Sequence, residues 1–185
     1  MNSNLFVISG PSGVGKDTLM ALIFKQIPSL KKWVTCTTRP PREGEVDGVQ
    51  YFFKTPEEFK QMIDNDELVE HNEFAGNFYG TPKAFANEML AAGENIITAI
   101  DVHGAENVKK EFPQAHLIFI EPPSLDELRS RLLKRGTESP EYIEKRLAIV
   151  KSELDKKPLF DVIFCNDDLK KCCEQITSYI KQFLN

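Results

Sequence analysis

Residues 9–18 read Ser-Gly-Pro-Ser-Gly-Val-Gly-Lys-Asp-Thr and follow directly on the apolar run Leu5-Phe6-Val7-Ile8. This stretch constrains the fold more than any other, because a short apolar run opening through glycines into a helical pattern calls for a buried strand that ends in a phosphate-binding loop. Gly10, Gly13 and Gly15 let the backbone turn tightly and aim successive amide N–H groups inward at phosphate oxygens. Lys16 adds an ammonium, and the helix that begins there presents the positive end of its dipole. Leu19, Leu22, Ile23 and Ile27 recur at helical spacing and supply one apolar face. A glycine-rich turn of no function would not need strand, lysine and helix together. The chain is expected to bind a nucleoside triphosphate through Gly10, Pro11, Ser12, Gly13, Val14, Gly15, Lys16, Asp17 and Thr18.

One letter departs from that motif, which places a serine or threonine hydroxyl after the lysine to hold Mg²⁺. Here Asp17 follows Lys16, with Thr18 after it. A carboxylate is a good ligand for a hard cation, directly or through water, and without a cation it would repel the triphosphate. An acid in the first helical turn is also favoured by the helix dipole alone. Both readings of Asp17, Mg²⁺ ligand and solvent-facing acid, stay open.

At 185 residues the chain is expected to form one domain with small insertions. A net charge of −5 gives no reason to expect nucleic-acid binding or an acidic membrane surface as partner. No apolar stretch approaches the roughly 20 residues that span a bilayer, and the Met1-Asn2-Ser3-Asn4 start does not read as a secretory signal. The four cysteines, Cys36, Cys165, Cys172 and Cys173, match no zinc spacing. Leu169, Cys172, Cys173, Ile176, Ile180 and Phe183 share a helical stripe, so the adjacent pair reads as small core residues in a reducing compartment. The expected location is the cytoplasm.

The pattern predicts strand 4–9, helix 15–27, strand 94–100, helix 104–111, strand 115–120, helices 124–134 and 140–155, strand 160–165 and helix 168–183. Short apolar strands alternating with amphipathic helices mean an α/β fold, a parallel sheet flanked by helices. Residues 33–92 break the rhythm with Trp33–Thr37, Tyr51–Phe53, Leu68–Glu70 and a hairpin over Phe74–Tyr79 with Gly-Asn as its turn. They read as a small mixed-sheet subdomain inserted after the first helix, and the arginine-bearing stretch 124–146 reads as a helical lid. The core is then 1–32, 93–123 and 147–185. Because ligands sit beyond the carboxyl ends of parallel strands, Asp101, at the end of its strand, is expected on the same sheet edge as the phosphate loop.

A second site is suggested by Arg39 and Arg42, three residues apart around Pro40 and Pro41. Their guanidinium forks match phosphate oxygens bidentately. Tyr51 and Tyr79 add phenolic donors, Glu70 a carboxylate, and Thr35 and Thr81 hydroxyls. Taken alone, the same residues also fit a charged surface loop with two packing tyrosines.

The segment Thr37-Thr38-Arg39-x-x-Arg42-x-Gly44-Glu45-x-x-Gly48-x-x-Tyr51 resembles the monophosphate-binding signature of the guanylate kinase family. So do Glu73-Phe74-x-Gly76-Asn77-x-Tyr79-Gly80-Thr81, Asp101-x-x-Gly104, Pro122-Pro123-Ser124, Arg135-Gly136-Thr137-Glu138 and Asn166-Asp167-Asp168, in order along nearly the whole chain. The resemblance implies a phosphate-loop kinase that moves the γ-phosphoryl group of ATP to GMP, and to dGMP, with Mg²⁺. By position it implies that Arg39, Arg42, Tyr51 and Tyr79 bind the GMP phosphate, and that Glu70 grips the guanine edge beside Thr35, Thr81 and Asp101. It further implies that Arg131, Arg135 and Arg146 close over the transferring group with Lys16, and that Asn166 touches the ATP purine.

Two positions depart from the family. Thr35 stands where serine is usual, and Ala99 where a second acid commonly precedes Asp101 on the same strand face. With Asp17 in the loop, the two departures suggest that a carboxylate has changed places near the metal. Two rival readings remain: a scaffold-type binding module without catalysis, against which the intact Lys16 loop argues, and a ribose-bisphosphate kinase, which tolerates Gly-Lys-Asp but has no need of Glu70. His71, His103 and His116 are scattered and read as structural or surface residues.

Overall fold

In a computed structural model, the run Leu5–Ser9 forms a strand (β1) whose five residues are all buried. Burial of both faces is what a central strand of a parallel sheet requires. The structure describes residues 3–74, 76–134 and 140–184, with the backbone alone at 74, 131, 132, 134 and 140–146.

Around β1 the sheet is built from β2 (Lys31–Lys32), β7 (Ile96–Ala99), β8 (His116–Glu121) and β9 (Val162–Cys165), in the order β2-β7-β1-β8-β9. Every pairing is parallel. Parallel neighbours need crossovers, and α1 (Lys16–Gln26), α4 (Val102–Glu111) and α7 (Leu169–Lys181) are among the helices that flank them. One face is sealed by α1 and α7, where Leu19, Ile23, Cys172, Cys173, Ile176 and Ile180 are fully buried. The other face packs Val102, Ala105 and Val108 of α4 with Trp33, whose ring meets Phe112 edge-on at 5.6 Å.

The parallel α/β sheet with flanking helices is therefore present as the pattern predicts, and the differences are local. Leu169 is more exposed than its place in the stripe suggests, because it is the first residue of α7. Phe183 lies beyond the end of α7 and packs on His116 at 4.1 Å between ring centres. All four cysteines are free thiols, and burial pushes the Cys172 thiol up to about 12.

The inserted segment forms a second sheet, order β4-β3-β6-β5, from β3 (Cys36–Thr37), β4 (Phe52–Phe53), β5 (Leu68–Phe74) and β6 (Asn77–Pro82). The sheet is mixed: β3 pairs with β4 in parallel, and β6 runs antiparallel to β3 and β5. Phe74 pairs with Asn77, so Gly76, at φ 74°, belongs to the turn and Asn77 does not. Two further helices, α2 (Pro56–Asp64) and α3 (Lys83–Ala91), lie in this stretch and are absent from the sequence reading. The first had a legible start: Thr55 accepts the Glu58 N–H, Glu58 answers at the Thr55 N–H, and Pro56 opens the helix.

Beyond β8, α5 (Leu125–Lys134) and α6 (Pro140–Leu154) pack on each other through Leu128 and Val150. A short 3₁₀ turn (Lys157–Leu159) then leads to β9. Among the described residues no helix is long and apolar enough to cross a membrane.

Candidate active site

The loop after β1 turns on positive φ at Gly10 (141°), Gly13 (87°) and Gly15 (103°), values that disfavour any side chain. Gly10 is also tied to the sheet, since a methyl there would stand 2.1 Å from the Ile120 carbonyl oxygen. Lys16 opens α1, and its ammonium donates to the carbonyl oxygens of Gly10 (2.5 Å) and Pro11 (3.2 Å). The amide of Asn166, just past β9, donates to the Val14 carbonyl oxygen at 2.8 Å, and its backbone N–H to Glu121 at 2.9 Å. Asn166 is buried, and its bond to Val14 ties it to the phosphate loop.

Facing the loop across a cleft of about 480 Å³ is the inserted sheet. Gly10, Ser12 and Lys16 of the loop line this cleft together with Thr35, Tyr51, Glu70 and Tyr79 of the insertion, and Asp101 joins them from the end of β7, at the same sheet edge as the loop. Glu70 reaches the cleft because β5 slips register against β6: Leu68 pairs with Pro82 but His71 with Gly80, so β5 carries one extra residue. Such a bulge re-aims a side chain. Opposite it, the Thr81 hydroxyl donates to Glu70 Oε1. Gly104 leaves room for this arrangement, since a methyl there would lie 3.1 Å from Glu70 Cγ. Burial pushes the Glu70 carboxyl up to about 7; the Thr81 hydrogen bond opposes the rise and nearby Asp101 adds to it.

Asp101 caps α4, accepting the Gly104 N–H at 2.7 Å, and its other oxygen accepts the Asn72 amide at 3.2 Å. Glu70 and Asp101 thus bring two carboxyl groups to the cleft, a pattern suited to a ligand edge that is rich in donors. Tyr51 and Tyr79 meet edge-on, ring centres 6.1 Å apart. Behind them, the Arg39 guanidinium lies 5.6 Å from the Tyr51 ring centre and bonds both Glu45 oxygens, at 2.8 and 2.9 Å. Arg42 is exposed, and its N–H donates to Glu45 at 2.7 Å.

Asp17 is exposed in the first turn of α1 and lines a side concavity of about 320 Å³ with Lys32, Thr35, Tyr51, Thr98 and Ala99. Three of these, Thr35, Tyr51 and Ala99, also line the main cleft. Thr18 is exposed beside Asp17. Arg131, Arg135 and Arg146 lie outside the described residues as far as their side chains are concerned. From the later part of α6, Glu153 also lines the cleft, a residue the sequence reading missed. Glu45 was missed as well, although it stands within the arginine-bearing signature. His103 and His71 are exposed, and His116 stacks on Phe6.

No group of three or more His, Cys, Asp or Glu side chains that would hold a metal occurs among the described residues. Mg²⁺ does not need one, since it binds through one or two carboxylates together with substrate phosphates and water. Asp17, next in sequence to Lys16, fits that requirement.

The sequence profile described as guanylate kinase matches residues 2–183. Guanylate kinase of Bacillus anthracis is 46% identical over 177 residues, covering 95% of this chain and 86% of that protein. Guanylate kinase of Bacillus subtilis (strain 168) is 43% identical over 177 residues, covering 95% and 87%. The crystal structure of guanylate kinase from Anaplasma phagocytophilum superposes with a TM-score of 0.72 at 29% identity, covering 97% of this chain and 85% of that one.

Proposed function

Because the chain belongs to the guanylate kinase family and transfers the γ-phosphoryl group of ATP to GMP, we propose how its own residues divide that work. The observation that carries the assignment is that Lys16, from the phosphate loop, and Glu70, from the inserted sheet, line one cleft. On this reading, the loop from Gly10 to Thr18 holds the ATP phosphates, and Lys16 leaves the Gly10 and Pro11 carbonyl oxygens to meet them. Asn166, bonded to the loop at Val14, is assigned to the ATP purine. Glu70 accepts the guanine N1–H and exocyclic amine together, with Thr81 fixing its rotamer and Thr35 and Asp101 beside it. Arg39, Arg42, Tyr51 and Tyr79 take the acceptor phosphate.

The acceptor is already an ionised phosphate, so no general base is required. Catalysis is then alignment plus neutralisation of the charge that spreads over the transferring oxygens. Arg131, Arg135 and Arg146 are assigned to that charge from the lid. Mg²⁺ supplies further neutralisation on the ATP phosphates when bound, and Asp17 is the residue assigned to it. Asp17→Ala is expected to raise the Mg²⁺ concentration for half-maximal rate and for half-maximal ATP binding by about tenfold. Ala99→Asp in that background is expected to restore both. An unchanged Mg²⁺ profile would leave Asp17 as a solvent-facing acid.

The proposed division is a core of 1–32, 93–123 and 147–185, an acceptor insertion of 33–92 and a lid of 124–146, with dGMP as a second acceptor and the cytoplasm as the location. The insertion has its own sheet and a small cluster around Phe59 and Leu68, which supports its moving as a unit. Its closure over the core would exclude water from the phosphoryl group. The assignment is tested by ADP production from Mg-ATP with GMP, dGMP, AMP, CMP and UMP as separate acceptors. Turnover is expected with the two guanine nucleotides alone; comparable turnover with AMP would remove Glu70 from base selection.

A further inference from the structure

Glu45 takes no part in the reaction as assigned above, yet its carboxylate is the one anion that Arg39 bonds among the described residues. Its Oε2 also accepts the Arg42 N–H at 2.7 Å, and its own N–H returns to the Arg42 carbonyl oxygen at 3.0 Å. Gly44, at φ 81°, makes that return possible. One carboxylate therefore ties the side chain of one arginine to the backbone of the other.

From this geometry we propose that Glu45 is a positioning residue for the acceptor phosphate: it fixes the Arg39 guanidinium against Tyr51 and Tyr79 so that the remaining donors are aimed before GMP arrives. The proposal rests on the assignment of Arg39 to that phosphate. A guanidinium has five N–H donors. Glu45 occupies one amino group, and the other gives a hydrogen bond to the Pro40 carbonyl oxygen at 2.7 Å. The pair is mostly shielded, with side-chain exposures of 13% and 17%. The Tyr51 and Phe53 rings, at 5.6 and 5.9 Å, keep the guanidinium plane from swinging away. The guanidinium also interacts with the Tyr79 phenol, and the donors left by Glu45, Pro40 and Tyr79 are assigned to a phosphate at the two tyrosines. An arginine without this tether would lose side-chain freedom on binding, and ordering it beforehand transfers that cost from the binding step to folding. The opposite role is also chemically definite: a carboxylate already on Arg39 would compete with the incoming phosphate.

These roles predict opposite signs. GMP and guanosine binding should be measured by titration calorimetry, and steady-state kinetics with each substrate varied, for wild type, E45A, E45Q, R39A and the R39A/E45A pair. Positioning predicts that E45A weakens GMP binding and raises its KM by about tenfold or more, with guanosine affinity and the KM for ATP within about twofold of wild type. E45Q keeps an acceptor for the Arg42 N–H but loses the charge, so it should fall between, and it carries the test if E45A does not fold. In the R39A background the E45A change should add no further loss. Tighter GMP binding in E45A, equal losses for GMP and guanosine, or full additivity with R39A would each overturn the proposal. R39A with unchanged GMP affinity would overturn the assignment of Arg39 itself, which is a separate failure.

Discussion

Glu70→Gln is expected to lower kcat/KM for GMP by about 10³–10⁴ while leaving the KM for ATP within about twofold. The size follows from what the amide would present. Guanine offers two donors side by side, and a carboxylate can accept both, whereas an amide turns one of its ends into a third donor facing them. That mismatch is buried, because Glu70 sits in the bulge of β5 under Thr81 and Gly104. Unpaired groups in such a place are what let a hydrogen-bonding site reject a wrong partner strongly. The same residue gives the enzyme a pH dependence whose sign can be worked out. Burial first, and Asp101 after it, hold the Glu70 carboxyl at about 7 against an ordinary 4.5. If guanine binds the anion, as proposed, affinity should fall as pH drops through about 7, approaching about tenfold per unit below it. Guanosine, which has no phosphate to titrate, isolates this effect in a titration across a range of about pH 5.5–8. For folding the sign is set by proton uptake: between 4.5 and about 7 the folded chain holds the extra proton, so this group's contribution to stability declines as pH rises through that window. Glu70→Gln should flatten both profiles. A GMP affinity independent of pH in wild type, with guanosine behaving alike, would refute the base-reading role.

Lys16→Met should leave GMP affinity close to wild type and cut kcat by about 10³-fold or more. Methionine keeps the length and apolar stem but removes the ammonium, so the loss reports charge rather than packing. The ammonium already rests on the Gly10 and Pro11 carbonyl oxygens at the mouth of the loop. It therefore has a short distance to travel to phosphate oxygens that replace those partners. Single-turnover measurements with saturating ATP separate the chemical step from binding. A kcat within about tenfold of wild type would mean that backbone amides and the lid arginines carry the charge without it.

Much of this site was legible in the sequence because its parts are local. Strand, glycines and Lys16 are contiguous, and the positive φ values at Gly10, Gly13 and Gly15 are what the loop pattern demands. The arginine pair, the tyrosines and Glu70 lay within signatures that could be read in order. What the letters did not carry was geometry set by a partner strand. The bulge that turns Glu70 into the cleft depends on the register of β5 against β6. Asn166 showed a turn residue and not its bond to Val14, 152 positions away. The Glu45 bridge spans only six residues, yet it depends on the fold-back at Gly44, which no periodicity reports. By contrast, α2 was readable from Thr55, Pro56 and Glu58, and went unread because strands dominated its surroundings.

The bond between Asn166 and Val14 also orders events in time. Val14 is synthesised 152 residues before the Asn166 amide that bonds it, and that amide follows β9. β1 itself must wait, since its neighbours β7 and β8 begin at residues 96 and 116. Long-range parallel pairing of this kind closes slowly. A nascent or truncated chain lacking β9 and Asn166 would carry every letter of the phosphate motif and still lack this bond to its loop.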